Sequence, residues 1–159
     1  SIPGQGSQFR VLLPLPEAPN YQKSEPIKSQ EHSDAKHLLI VEDNDINRVL
    51  LETTLRHMGH RVTAAPGGAE AVEAARQGHF DLILMDISMP EVDGIEAHRR
   101  IREQKLAEGV DIVALTAHVA DEDRQRIMKA GFQGIASKPI SRAELAQLIS
   151  RHTRSKTKP

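Results

Sequence analysis

Three carboxylates, one hydroxyl and one ammonium stand directly after short apolar runs in this chain. Glu42 and Asp43 follow Leu38-Leu-Ile-Val41, Asp86 follows Leu82-Ile-Leu-Met85, Thr116 follows Ile112-Val-Ala-Leu115, and Lys138 follows Ile135-Ala-Ser137. If those runs are strands of one sheet, all five groups meet at one edge. Two like charges ~4 Å apart repel by about 4 kcal/mol at an effective dielectric of about 20, so Glu42, Asp43 and Asp86 can share a pocket only with cations beside them. Lys138 supplies one positive charge, and a divalent ion is the natural remainder. With oxygen ligands alone, Mg²⁺ keeping several of its waters fits such a site. A carboxylate beside a metal, a lysine and a hydroxyl is the equipment of phosphoryl transfer: the cations neutralise the phosphoryl oxygens while a carboxylate oxygen attacks in line. Asp86, central among the runs and next to the metal, is the expected nucleophile.

The elements that must bring these groups together are legible from periodicity. Near-continuous apolar runs at 38–41, 61–65, 81–85, 111–115 and 134–137 read as strands buried on both faces. Between them the spacing turns helical. Leu51, Leu55 and Met58 stand at i, i+4, i+7 before Gly59, Ala71, Val72 and Ala75 share a side of a second helix, and Ala97 and Ile101 sit in a third. A polar fourth helix over 121–130 ends at Gly131, and Leu145, Leu148 and Ile149 mark a fifth behind a Ser141 cap. Strand and helix alternating five times predict an α/β fold, a doubly wound parallel sheet with helices on both faces, because each crossover is right-handed. Ligands of such sheets bind beyond the carboxyl ends of the strands, where the five groups stand.

Composition removes competing classes. The chain has 159 residues, enough for one domain and a short appendage, and its 38% apolar content with only 3% aromatic residues predicts an aliphatic core. With 21 Lys plus Arg against 22 Asp plus Glu there is no basic footprint for nucleic acid. The absence of Cys excludes disulfides, thiolate metal sites and cysteine nucleophiles. No apolar run is long enough to span a bilayer, so this stretch is expected to lie outside the membrane. A nucleotide-binding Rossmann unit fails because the first strand leads into Glu42-Asp-Asn44 instead of a glycine-rich loop.

At its functional positions the sequence resembles the receiver domain of two-component response regulators. Leu38-Leu-Ile-Val-Glu-Asp-Asn44, Asp81-Leu-Ile-Leu-Met-Asp-Ile-Ser-Met-Pro90 with Asp93-Gly94, Ala114-Leu-Thr-Ala117 and Ser137-Lys-Pro-Ile140 match that family in order and spacing, over residues 37 to 151. The resemblance implies a flavodoxin-like five-stranded sheet of order 2-1-3-4-5. It implies that Asp86 accepts phosphate from a phosphohistidine-bearing kinase or phosphotransfer domain, so that the chain catalyses its own phosphorylation. Asp43, Asp86 and the backbone carbonyl of Ser88 would bind Mg²⁺, with Glu42 helping through water. Thr116 would bind a phosphoryl oxygen after activation and Lys138 another, its peptide to Pro139 being cis. Ser88 and His118 stand where the family tunes hydrolysis of the acyl phosphate. The departure is Ile135, where the family often carries Tyr or Phe, three residues before the lysine. It is expected to be exposed, and to offer a nearly preformed protein-docking face with the helix at 121–130 and the helix after Ser141.

The chain ends suggest the setting. Gly4-Gln-Gly-Ser-Gln-Phe9 followed by Leu13-Pro14-Leu15 is similar to the closing glycine motif and last strand of a histidine-kinase ATP-binding domain. Residues 1–15 then read as a kinase remnant, 16–36, with Pro16, Pro19 and Pro26, as a flexible linker, 37–152 as the receiver and 153–159 as a basic tail. Beginning on Ser1, the chain reads as a processed product or a fragment. The order implies an ATP-dependent hybrid sensor kinase as parent, a membrane-anchored protein holding this part in the bacterial cytoplasm, with quorum-sensing kinases of the diffusible-signal-factor type as the candidate subgroup. Two further functions compete with a phosphorelay receiver. One is a docking module that binds its partner largely independently of phosphorylation. The other is an aspartyl phosphatase, disfavoured because Ser88 stands where such enzymes carry a second Asp.

Overall fold

The computed structural model describes residues 35–117 and 120–153. The stretch at 1–15 expected to be a kinase remnant, nearly all of the expected linker, His118 and the tail after residue 153 lie outside the described residues. In chain order the elements are β1 (His37–Val41), α1 (Asp45–His57), β2 (Arg61–Ala65), α2 (Gly68–Gln77), β3 (Leu82–Asp86), α3 (Gly94–Glu103), β4 (Asp111–Thr116), α4 (Asp121–Lys129), β5 (Gly134–Ser137) and α5 (Arg142–His152). All strands are parallel, in the order β2-β1-β3-β4-β5.

Period-two alternation along the strands divides the core in two. Leu39, Val41, Ile83, Met85, Ile112 and Ala114 pack with Ala71, Ala75, Ala97, Ile101 and Ile127 on the side covered by α2, α3 and α4. Leu38, Ile40, Leu82, Leu84, Val113 and Leu115 pack with Leu51, Leu55, Leu145 and Ile149 of α1 and α5 on the other. Two-sided burial explains why the strands read as unbroken apolar runs.

The helix ends follow local chemistry. Asn44 caps α1, its side chain accepting from the Asn47 N–H, and α1 gives way to Gly59 at φ +90, a left-handed conformation that glycine adopts at no steric cost. Ser141 and Glu144 form a reciprocal capping box at α5. The third strand runs one residue further than its apolar run, so Asp86 is its last residue, paired with Leu115. A Cβ on Gly94 would lie 2.2 Å from the Asp86 carbonyl oxygen, so only glycine lets α3 begin this close to the strand end.

Ile135 departs from expectation. It is half-buried and packs against the α2–α4 side of the core, which also holds Ile127 and Phe132. A polar α4 was expected to leave it open, but Ile127, the buried residue of that helix, turns toward the sheet.

His98 of α3 was not singled out by the sequence. It is 3% exposed, stacks on Phe132 with ring centroids 4.4 Å apart, and its Nε2 has no hydrogen-bond partner among the described residues. Burial first, and the nearby Arg102 charge second, push its pKa down to about 4, against a smaller opposing hydrogen bond to the Gly131 backbone. The unfolded chain therefore binds this proton more readily than the folded one, and stability that is complete above about pH 6.5 is lost as pH falls toward 4. We expect an acid loss of roughly 2–3 kcal/mol from this residue, absent in His98→Phe, which keeps a ring against Phe132. Urea titrations at pH 7 and pH 4.5 check it; equal acid sensitivity in both proteins would discard the assignment.

Candidate functional site

The five chemistry-bearing groups converge at the carboxyl edge. Each strand ends at the same level, so the residue after β1, the last residue of β3, the last of β4 and the residue after β5 become neighbours. Glu42, Asp86 and Thr116 are 2%, 2% and 4% exposed, whereas Asp43 is exposed. One carboxylate oxygen from each of Glu42, Asp43 and Asp86 lies within 4.8 Å of the others.

Lys138 closes the cluster. Its Nζ donates to Asp86 Oδ2 at 2.6 Å and to Glu42 Oε2 at 3.0 Å. Burial alone would lower the pKa of this ammonium, but the hydrogen bonds and charges of Asp86 and Glu42 outweigh it and hold the pKa above the ordinary value. Lys138 follows β5, its N–H donating to the Thr116 carbonyl at 2.8 Å, and its peptide to Pro139 is cis. Three carboxylates and one ammonium leave the cluster at −2, the charge that one divalent cation offsets. Oxygen donors with this spacing, one of them open to solvent, fit a hard, partly hydrated ion such as Mg²⁺.

Asp86 Oδ1 accepts the Ser88 N–H at 3.0 Å, which orients the carboxylate from its own chain. The sequence reading missed Asn47 and Arg48. Asn47 Nδ2 donates to Glu42 Oε1 at 3.2 Å, and Arg48 Nη1 donates to the Glu42 carbonyl at 2.9 Å and the Asp43 carbonyl at 3.3 Å, while Nη2 pairs with Asp45. A signal was present: Asn47, Leu51 and Leu55 stand at i, i+4, i+8, which puts an amide on the core-facing stripe of α1. A cleft of about 420 Å³ adjoins the cluster, lined by Glu42, Leu50, Leu115, Lys138, Ile140 and Leu145 among others.

A five-stranded 2-1-3-4-5 sheet with an acidic triad and a lysine at its carboxyl edge defines a receiver-type phosphoacceptor module. Residues 38–150 match the response regulator receiver domain family, and the chain belongs to it. The chain is 40% identical over 124 residues to the sensor protein GacS of Pseudomonas syringae pv. syringae, a match covering 76% of this chain and 14% of that protein. It is 37% identical over 106 residues to the polar-differentiation response regulator DivK of Brucella ovis, covering 67% of this chain and 86% of the relative. Among solved structures it superposes on the receiver domain of a sensor histidine kinase from Pseudomonas aeruginosa PAO1 with a TM-score of 0.71 and 40% identity, covering 76% of this chain and 99% of that one; that structure has a magnesium ion coordinated in its active-site cleft. This is a receiver domain of two-component signalling, homologous to those of hybrid sensor kinases. Receivers of this family interact with kinase or phosphotransfer partners, and among the described residues no helix is long and apolar enough to cross a membrane.

Proposed function

We propose that this chain accepts a phosphoryl group from phosphohistidine onto Asp86 and relays it or uses it to switch a protein partner. The observation that carries the reading is Lys138 held between buried Asp86 and Glu42, with Asp43 completing the triad. A carboxylate oxygen of Asp86 attacks phosphorus in line, the P–N bond breaks, and the electron pair leaves with the donor imidazole, which takes up a proton. Lys138 turns from Asp86 to a phosphoryl oxygen, and the Thr116 hydroxyl donates to another. Asp43, Asp86 and the Ser88 carbonyl would hold Mg²⁺ with help from Glu42, and the ion would supply charge neutralisation at the transferring group. On α1, Ile46, Val49 and Leu50 are large apolar side chains left exposed beside the cleft, suitable ground for a phosphohistidine-bearing helical partner.

The chain spans 14% of GacS, so the parent's nature is likewise our reading: an ATP-dependent, membrane-anchored hybrid kinase of bacteria, with residues 1–15 as its kinase remnant, 16–36 as linker, 37–152 as a receiver in the cytoplasm and 153–159 as a tail. We place that parent with the quorum-sensing kinases of the diffusible-signal-factor type. A second reading, docking without phosphate at the face of α4, β5 and α5, is supported by Ile135 in the aromatic's place. Its half-burial reduces what it could offer a partner.

Acetyl phosphate tests the leading reading. Incubated with Mg²⁺, the chain should gain one acid-stable, hydroxylamine-labile phosphoryl group, detected by intact mass, and the gain should vanish in EDTA. A chain that stays unmodified at saturating donor and Mg²⁺ would favour the docking module.

A further inference from the structure

We propose that the first turn of α1 is a clasp that holds the metal-side carboxylates in place, with Asn47 and Arg48 as its positioning residues. This inference rests on the phosphoacceptor reading above. Glu42 is buried, and each of its carboxylate oxygens is held by a different part of the chain: Oε1 by Asn47 Nδ2 at 3.2 Å and Oε2 by Lys138 Nζ at 3.0 Å. The two holds are not equivalent during the reaction. Lys138 also serves Asp86, and once it turns toward a phosphoryl group the Asn47 amide is, among the described residues, the side-chain donor left on Glu42. An amide suits this task because it carries no charge that would oppose a cation, and its position on the helix is fixed by the Asn47 N–H bonded to Asn44 Oδ1 at 3.0 Å.

Arg48 grips the backbone of the same two residues. Its Nη1 spans the carbonyls of Glu42 and Asp43, so the exposed Asp43 side chain leaves from a tethered main chain. The guanidinium charge is matched by Asp45, so the grip adds no net charge beside the triad. The hydrogen bonds of the Asn47 and Arg48 side chains go to Glu42, Asp43 and Asp45, so both residues act through Glu42 and Asp43.

The experiment measures Mg²⁺ affinity by calorimetry on the full chain, in the absence of any phosphodonor, for the wild type, Asn47→Ala, Glu42→Ala, the double variant and Arg48→Lys. Asn47→Ala is expected to weaken Mg²⁺ roughly three- to tenfold, what one net hydrogen bond is worth. Combined with Glu42→Ala it should add nothing, because the group it positions is gone. Arg48→Lys keeps the charge but loses the planar fork, and should weaken Mg²⁺ by a similar factor. Thermal melting in EDTA should change little in Asn47→Ala, since Asn47 is exposed. Wild-type affinity in both Asn47→Ala and Arg48→Lys, or a loss that persists undiminished in the Glu42→Ala background, overturns the clasp alone. Failure of the wild-type chain to bind Mg²⁺ at millimolar concentration overturns the phosphoacceptor reading together with it.

Discussion

Asp86→Asn should end phosphorylation by every donor, protein or small molecule, with incorporation down at least roughly a thousandfold, because an amide nitrogen or oxygen cannot replace the attacking carboxylate. The fold should survive. Asp86 is 2% exposed and its two oxygens accept from two donors, the Ser88 N–H and the Lys138 ammonium. Asparagine has the same shape but one acceptor oxygen, so one of these bonds is lost at a cost of about 1 kcal/mol. Relief of repulsion with Glu42 works the other way, since the two carboxylates sit in one cluster. Melting temperature should therefore move by only a few degrees. Intact-mass analysis after acetyl phosphate treatment reads the first effect and circular dichroism the second. A variant that still takes up a full equivalent would transfer the nucleophile's role to another carboxylate.

Asp43→Ala should weaken Mg²⁺ at least about thirtyfold. Even at ~4 Å, farther than a direct ligand sits, a divalent cation and one carboxylate attract by about 2 kcal/mol in water-like surroundings, and that attraction disappears with the side chain. Because Asp43 is exposed and α1 is capped by Asn44, stability should hardly change. Phosphorylation from acetyl phosphate should fall in parallel at limiting Mg²⁺ and recover in part at high Mg²⁺, which separates a lost ligand from a damaged fold. Calorimetry with unchanged affinity would remove Asp43 from the site. Glu42→Ala is the informative contrast: it leaves the half-buried Lys138 with one carboxylate partner where it had two, so it should lower stability as well as metal affinity.

The two-sided burial of the strands made their runs unmistakable, and strand ends are where parallel sheets present functional groups, so Glu42, Asp86 and Thr116 could be read off as the first polar residues after their runs, and Lys138 as the charge just past β5. Contacts that depend on helix phase and on third elements were harder to see. Asn47 reaches Glu42 because α1 continues its core stripe past the sheet edge, and only the helix's rotation reveals that. Ile135 looked open because α4 reads as polar, yet one residue of that helix, Ile127, covers the sheet there. His98 gave no signal at all, since a single histidine among arginines in α3 reads as solvated, and its burial follows from the approach of Phe132.

The ammonium at the centre of the site lies 96 residues along the chain from Glu42 and 52 from Asp86. Those separations make chemical competence a late event in the life of the polypeptide. While synthesis proceeds from the amino end, the acidic loop and the central strand exist before Lys138 has been made, and the carboxylates gain their counter-charge only when the last strand docks beside β4. A chain interrupted between Asp86 and Lys138 carries the expected nucleophile without the ammonium beside it. Long-range closure of this kind costs loop entropy and slows assembly. On the phosphoacceptor reading, a chain that stops short of β5 is therefore expected to take up little phosphate.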